Sequence, residues 1–393
     1  MGKISVSLGN MLRLLFGEVR SGDLRRRRLL AVIQGAVTSL GGKLVGVLVS
    51  FLSVPLTIGY LGSERYGAWI TMASLLAWLQ LTDFGVGNGL TTAVSTAYGQ
   101  DRPDLVRKHV ANAMAMLTVV AALTGVIATV VWPFINWNSL FGLTDPSAQA
   151  EIGPAVAVAL VIFLLQFPLS VPNRIYGATQ EGRIGNYWVI IGSILSLASL
   201  LMVSQTKGGL VLLVLAISGT WLLVNIVNAI WLFGWHKPDL APSLRDIDLP
   251  ALRALCDIGG KFFLIQIMAL VTMQTDTLVI SHFLGAAQVP SYSLTYSLFN
   301  YTTLPQSIVL SYLWAAYSEA IARNDTAWVR RTFHINLAAG LGFTTLAMIV
   351  LVWIAQPFVH WWSGGRVTPP SNLVHWMAAW SLISACTSDD DGT

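Results

Sequence analysis

Charge is scarce in this chain. Of its 393 residues only 11% are Asp, Glu, Lys or Arg, against about a quarter in an ordinary soluble domain. That shortage excludes a soluble globular protein of this length. Cysteine is scarcer still. Cys256 and Cys386 are the two present, and their separation fits neither a metal-ligand nor a redox motif. The six histidines are scattered without metal-ligand spacing, so no metal site is expected. Long polar loops are lacking too, the longest running about 20 residues between apolar stretches. A membrane-embedded glycosyltransferase or polysaccharide polymerase would want a sizeable extramembrane region with catalytic acids and bases. No enzymatic motif is found, and no cofactor is expected.

Apolar residues fill the space that charge leaves. They make up 54% of the chain, its mean hydropathy is +0.65, and it carries 15 Trp and 34 Gly. Trp gathers at bilayer interfaces and Gly permits close helix packing. The composition predicts an all-α polytopic membrane protein. Ten stretches reach the roughly 20 residues that a spanning helix needs: about 31–58, 66–97, 107–134, 151–174, 185–204, 208–233, 256–283, 288–317, 332–358 and 370–387. The basic run Arg25 to Arg28 precedes an apolar span too long for a signal-peptide core, so the first span is expected to be uncleaved. Ahead of it, Ile4, Leu8, Met11, Leu12, Leu15 and Val19 recur at helical spacing with Lys3, Arg13 and Arg20 between them. That pattern predicts an amphipathic helix on the inner leaflet.

The cations set the expected orientation. With the N-terminus in the cytoplasm, 19 of the 23 Lys and Arg lie inside, among them Arg102, Arg107, Lys108, Arg183, Lys237, Arg245 and Arg323. Arg65, Lys207 and Arg366 fall outside, and Lys43 lies within the first span. The net charge of +4 therefore reflects topology rather than an affinity for nucleic acid.

The chain also repeats itself. YLGSERYGAWITMASLL at 60–76 is echoed 223 residues later by FLGAAQVPSYSLTYSLF at 283–299. At the same offset Leu105-Val106-Arg107-Lys108 meets Trp328-Val329-Arg330-Arg331. Upstream, Gly41-Gly42-Lys43 returns as Gly259-Gly260-Lys261, with five extra residues in the second copy. The unit holds six helices. An even number returns the chain to its starting side, which predicts two parallel repeats related by an axis along the membrane normal. The predicted organisation is a basic amphipathic segment at 1–28, an N-terminal lobe of six helices at 29–233, and a cytoplasmic linker at 234–254. A C-terminal lobe at 255–387 follows, then an acidic tail at 388–393. The second repeat holds four helices where the first holds six, which leaves two expectations: a ten-span variant or, preferred, a truncated or frame-shifted version of a twelve-span parent.

Several segments in this order resemble the oligosaccharide flippases of the multidrug/oligosaccharidyl-lipid/polysaccharide exporter superfamily. They are YLGSERYGAW, TDFGVGNGL at 82–90, PNRIYGATQEGR at 172–183, TDTLVISHFLGAAQVPSYSLTYSLF at 275–299 and SEAIARNDTAWVRR at 318–331. The resemblance implies two lobes around a central cavity that opens alternately to each side of a bacterial inner membrane. It implies a polyprenyl-pyrophosphate-linked oligosaccharide as cargo, in polysaccharide or lipopolysaccharide (O-antigen) biosynthesis, with a polymerase and glycosyltransferases as partners. A cation-coupled multidrug exporter of the same superfamily is the alternative.

Ionisable residues within spans are expensive, so they tend to line a cavity or find a partner. Lys43 lies about ten residues into the first span with no carboxylate one turn away. It is expected either to line the cavity or to snorkel to the headgroups. Lys261, its repeat partner, sits nearer an interface, where snorkelling is the simpler expectation. Asp83 introduces Gly85, Gly87 and Gly89, a set that suits close helix packing or a kink. Asp83 itself fits either a cavity wall or a structural partner for a cation, and Asn88 beside it reaches for sugar hydroxyls. Asp276 is the second intramembrane acid. The two acids fit proton or Na⁺ coupling, although Asp276 is close enough to the outer end to be wetted. Arg174, after Pro172, offers a bidentate partner for pyrophosphate or serves as a positive-inside anchor.

Overall fold

The computed structural model describes residues 24–206, 208–303 and 326–388. The amphipathic segment before Leu24, residues 304–317 of the eighth expected span, Arg323 and residues 389–393 of the acidic tail lie outside the described residues. Among the described residues the chain is nearly all helical. Seven helices are long and apolar enough to cross a membrane: Thr38–Leu61, Pro103–Phe134, Pro146–Ala178, Gly182–Val203, Gly209–His236, Leu249–Leu284 and Val329–Trp362. The last expected span corresponds to Ser371–Ser388, of 18 residues.

One expected span is corrected outright. The stretch 66–97 is not one helix but two, α2 at Ser63–Leu79 and α3 at Val86–Gly99. A 3₁₀ turn at Gln80–Asp83 ends the first, and Phe84 (φ 50°) and Gly85 (φ 75°) reverse the backbone hand before the second starts. The left-handed region disfavours a side chain, and Gly85 fills it without strain. Thr82 ties the turn down by donating its hydroxyl to the Leu79 carbonyl at 2.6 Å. The expected linker is also shortened, because helix α10 begins at Leu249 and runs to Leu284. Pro250 sits in its first turn, where a missing N–H loses nothing.

Local geometry recurs along the chain at the spacing of the sequence echo. Gly62 and Gly285, 223 residues apart, both take positive φ (79° and 89°) after long helices, α1 at Leu24–Leu61 and α10. Helix α4 runs over Pro103–Val131, and helix α12 is described over Thr326–Trp362.

Contacts divide the chain into two compact units whose limits follow neither 29–233 nor 255–387. The first comprises Met1–Ser53, Leu75–Asn136 and Gly153–Gln274. Its core gathers Val86, Leu90 and Val94 from α3, Val106 and Val110 from α4, Ile175 and Tyr176, and Leu255 from α10. Helices in lipid gain little from burying apolar surface against one another, so small residues and polar pairs must hold them. Both devices are present. A Cβ on Gly85 would stand 2.1 Å from the Gly259 carbonyl oxygen, and one on Gly89 would stand 2.8 Å from that of Leu255. Between helices, fully buried Asn228 accepts from the Tyr176 hydroxyl at 2.6 Å and donates to Asn173.

The linker is fastened to this unit. Fully buried Asn112 on α4 donates its amide to the Asp246 carbonyl and accepts from the Asp248 N–H. Arg107 pairs with Asp246 at 2.7 Å and Lys108 with Asp248 at 3.1 Å. Near the start of the linker, Glu181 takes Lys237 at 2.8 Å and His236 at 3.2 Å, and Lys237 also lies over the Tyr98 ring. Burial by itself would raise the Glu181 carboxyl, but hydrogen bonds and charge from Lys237 and His236 outweigh it and hold the group below its ordinary range.

The second unit comprises Val54–Ser74, Trp137–Ile152 and Thr275–Thr393. Glycines again allow backbones to touch. Gly67 faces the Ala286 carbonyl, and Gly142 faces Ser281 and Gly285. The Ser281 hydroxyl donates to the Phe141 carbonyl at 2.9 Å. Glu64 gathers the Thr144 and Asp145 N–H groups, and Arg65 pairs with Glu151 at 2.9 Å.

Candidate functional site

The break between α2 and α3 creates a cavity inside the first unit. It measures about 360 Å³ and is walled by Gln80, Leu81 and Asp83 from the 3₁₀ turn and by Leu117 from α4. Helix α5 (Pro146–Leu169) adds Phe163, Gln166 and Phe167, and Ser170 and Arg174 follow at its end. Gln266, Ala269 and Leu270 of α10 complete the wall. A continuous helix through 80–85 would carry no turn to aim Gln80 and Asp83 together. Ser170 marks a second break, where α5 gives way to α6 at Val171–Ala178.

Arg174 is the cation of this lining. Its guanidinium donates to the Asn88 side-chain oxygen at 2.8 Å. Gly87 leaves room for it, since a Cβ there would lie 3.0 Å from the guanidinium nitrogens. One hydrogen bond to a neutral amide orients the group without neutralising it. Asp83 lines the same cavity but makes no direct ion pair with Arg174. It accepts from the Gly85 N–H at 2.8 Å and also from the Gly87 N–H, which steadies the turn, and its charge is close enough to act on Arg174.

Two of the six expected site residues, Asp83 and Arg174, line this cavity, and a third, Asn88, bonds to Arg174 from outside the lining. The other three do not line this cavity. Lys43 and Lys261 have exposed side chains in the first unit. Asp276 belongs to the second unit, exposed, where it accepts from the Tyr292 hydroxyl, and Tyr292 stacks on Tyr296. Sequence reasoning missed Gln80, Gln166, Gln266 and Ser170. The signal was available, because a glutamine set in runs such as FLLQFPL or FLIQIM is polar at membrane depth. No cluster of three or more His, Cys, Asp or Glu able to hold a metal occurs among the described residues.

Comparisons with known proteins agree with this architecture. Residues 41–202 match the MatE family. A Yersinia pseudotuberculosis protein named for O-antigen export is 23% identical over 304 residues, 73% of this chain and 65% of its own length. The chain thus spans somewhat under two thirds of that relative. A Salmonella typhi protein named as an O-antigen transporter is 22% identical over 83% of this chain and 73% of its own. NorM of Caulobacter vibrioides, named for multidrug resistance, is 26% identical over 114 residues, 29% of this chain and 24% of its own. Among solved structures, the inward-facing form of a multidrug resistance MATE family transporter of the MOP superfamily superposes with a TM-score of 0.71. It is 13% identical, with 91% of this chain and 86% of that one covered. The fold is that of a MATE transporter, and these relatives are transporters rather than enzymes.

Proposed function

We propose that this multi-pass membrane protein, with its MatE domain at 41–202, flips lipid-linked oligosaccharide units by alternating access. Its cargo on this reading is a polyprenyl-pyrophosphate oligosaccharide destined for O-antigen or a related polysaccharide. The observation that carries the proposal is Arg174, oriented by Asn88 in the cavity and without a direct ion pair, with Asp83 the one carboxylate in the lining. An anionic pyrophosphate wants such a group, and a guanidinium meets phosphate oxygens in bidentate fashion. The names of the low-identity relatives support the same reading.

On this reading the two parallel repeats form lobes, 29–233 and 255–387, that rock about the cavity. The N-terminus and the linker face the cytoplasm of a bacterial cell, in its inner membrane, and a polymerase and glycosyltransferases act on the same lipid-linked units. The second reading, cation-coupled multidrug export, is favoured by the Asp83 carboxylate in the same lining and by the NorM likeness.

A reconstitution test separates them. Proteoliposomes of the chain are loaded with a fluorescent polyprenyl-pyrophosphate oligosaccharide, and the outer-leaflet fraction is followed by quenching. Flipping that Arg174→Ala abolishes supports the proposal. Transport of a lipophilic cation, lost on Asp83→Asn and indifferent to Arg174, would replace it with the second reading.

A further inference from the structure

We infer that Gln80, Gln166 and Gln266 form a neutral amide face that reads the sugar next to the pyrophosphate, as a subsite separate from Arg174. The inference rests on the cargo class proposed above and adds which part of the cargo is discriminated, and by what.

The three amides come from three different segments, the 3₁₀ turn after α2, α5 and α10, and they converge on one cavity. Among the described residues none of them has a hydrogen-bond partner. Gln80 is exposed and Gln166 half-buried, while the Gln266 side-chain oxygen is shut off from solvent. An orphaned buried acceptor is costly, and the penalty is larger in an apolar medium, where water cannot compensate. The rest of the unit treats its amides differently: Asn112, Asn228 and Asn173 are all paired. A cavity wall that leaves its amides unpaired is prepared for a ligand that brings both donors and acceptors.

Amide chemistry narrows that ligand. Each glutamine offers one acceptor oxygen and two N–H donors without charge. A hydroxyl or an acetamido group, itself donor and acceptor, can be matched whichever way the amide turns. A cationic drug would be served by carboxylates, and a second phosphate by further cations. The remaining polar groups agree. Asp83 is held by the Gly85 and Gly87 N–H groups, and the Ser170 hydroxyl donates to the Phe167 carbonyl, which leaves the amides as the open polar groups.

Placement supports two subsites. Gln166 lies on α5 and Arg174 on α6, on either side of the break at Ser170. One end of the cargo can therefore rest on the guanidinium while the next group reaches the amides. The cavity, at about 360 Å³, lies near the lower end of the roughly 300–1,000 Å³ typical of small-ligand pockets. It suits one or two sugar rings and not a whole repeat unit.

The test measures binding to the purified full chain in lipid nanodiscs with two probes: undecaprenyl pyrophosphate, and the same lipid bearing one N-acetylhexosamine. The wild type should bind the sugar-bearing probe at least tenfold more tightly. Gln166→Leu and Gln266→Met should each cut that ratio several-fold, and the double variant should bring it near one. Affinity for the bare lipid should change less than twofold, and thermal stability should hold or rise because an unpaired amide is gone. Arg174→Gln should weaken both probes together. An unchanged ratio in the glutamine variants overturns the inference, and so does equal loss of both probes. Equal wild-type affinity for the two probes overturns it as well, with the cargo reading intact. A wild type that binds neither probe overturns the cargo reading itself.

Discussion

Two regions of the first unit use the same kinds of residue in opposite ways. At the linker, Arg107, Lys108, Asn112, Glu181 and Lys237 each find a partner, and Asn112 engages both ends of its amide. In the cavity, Arg174 holds one neutral partner and three glutamines hold none. Composition does not distinguish the regions; satisfaction does. Polar groups that are fully paired hold a structure in place, whereas polar groups left open at membrane depth are waiting for something else.

The sharpest way to break this contrast is to remove the open cation. Arg174→Ala should lower flipping of a pyrophosphate-linked probe about 100-fold, equivalent to roughly 2.7 kcal/mol, with thermal stability nearly unchanged. Lys43→Gln, a change outside the lining, serves as the comparator and should retain most of the flux. If the two variants fall together, the cavity cation has no special standing.

The edge of the cavity comes next. Gly85→Val places a side chain at positive φ and against the Gly259 carbonyl. The conformational penalty alone is about 1–2 kcal/mol, and the overlap adds to it. A melting-temperature drop of several degrees in detergent is expected, larger than for Gly99→Val, where a Cβ meets nothing within 4 Å.

At the clasp, Asn112→Leu should destabilise by about 2 kcal/mol, since it strands the Asp246 carbonyl and the Asp248 N–H. Flux per folded molecule should stay near that of the wild type, which a flux assay normalised to folded protein checks. A variant that melts normally but transports poorly would place the clasp with the cavity and dissolve the contrast.

The smallest effect is on pH. The Glu181 carboxyl is held below its ordinary value of 4.5 in the folded chain. Its stabilising contribution is therefore complete above that value and is lost as pH falls through the lower folded one. Between pH 6 and 3 the wild type should lose slightly more stability than Glu181→Gln, as read by melting temperature. His236 and Lys237 both face the carboxylate.

Much of this was legible in the sequence because the bilayer imposes a length. Stretches such as 107–134 and 185–204 are apolar for long enough that little but a spanning helix can accommodate them. The glycines after Asp83 announced a special backbone, but one motif allowed either close packing or a kink. Gly85 turned out to serve both, and only coordinates supply the Gly259 backbone against it. Arg174 was marked by its place after Pro172, yet anchor and ligand group look alike until Asn88 is seen to orient it. The clasp was out of reach, since Asn112 meets Asp246 and Asp248 across 134 and 136 residues. Lys43 drew attention by its depth alone, and depth along a helix does not say which face a side chain takes.

The clasp also bears on whether the covalent join between the chain's halves is needed once it has formed. The linker is tied down at Lys237 and again at Asp246–Asp248, leaving Ser243 and Leu244 between the two fastenings, with Leu244 87% exposed. A protease site placed there should be cut readily, yet the two fragments should still co-purify through Arg107, Lys108 and Asn112. For the same reason a reporter domain inserted after Leu244 should be carried without loss, while the same insert four residues later would pull Asp248 off its anchor.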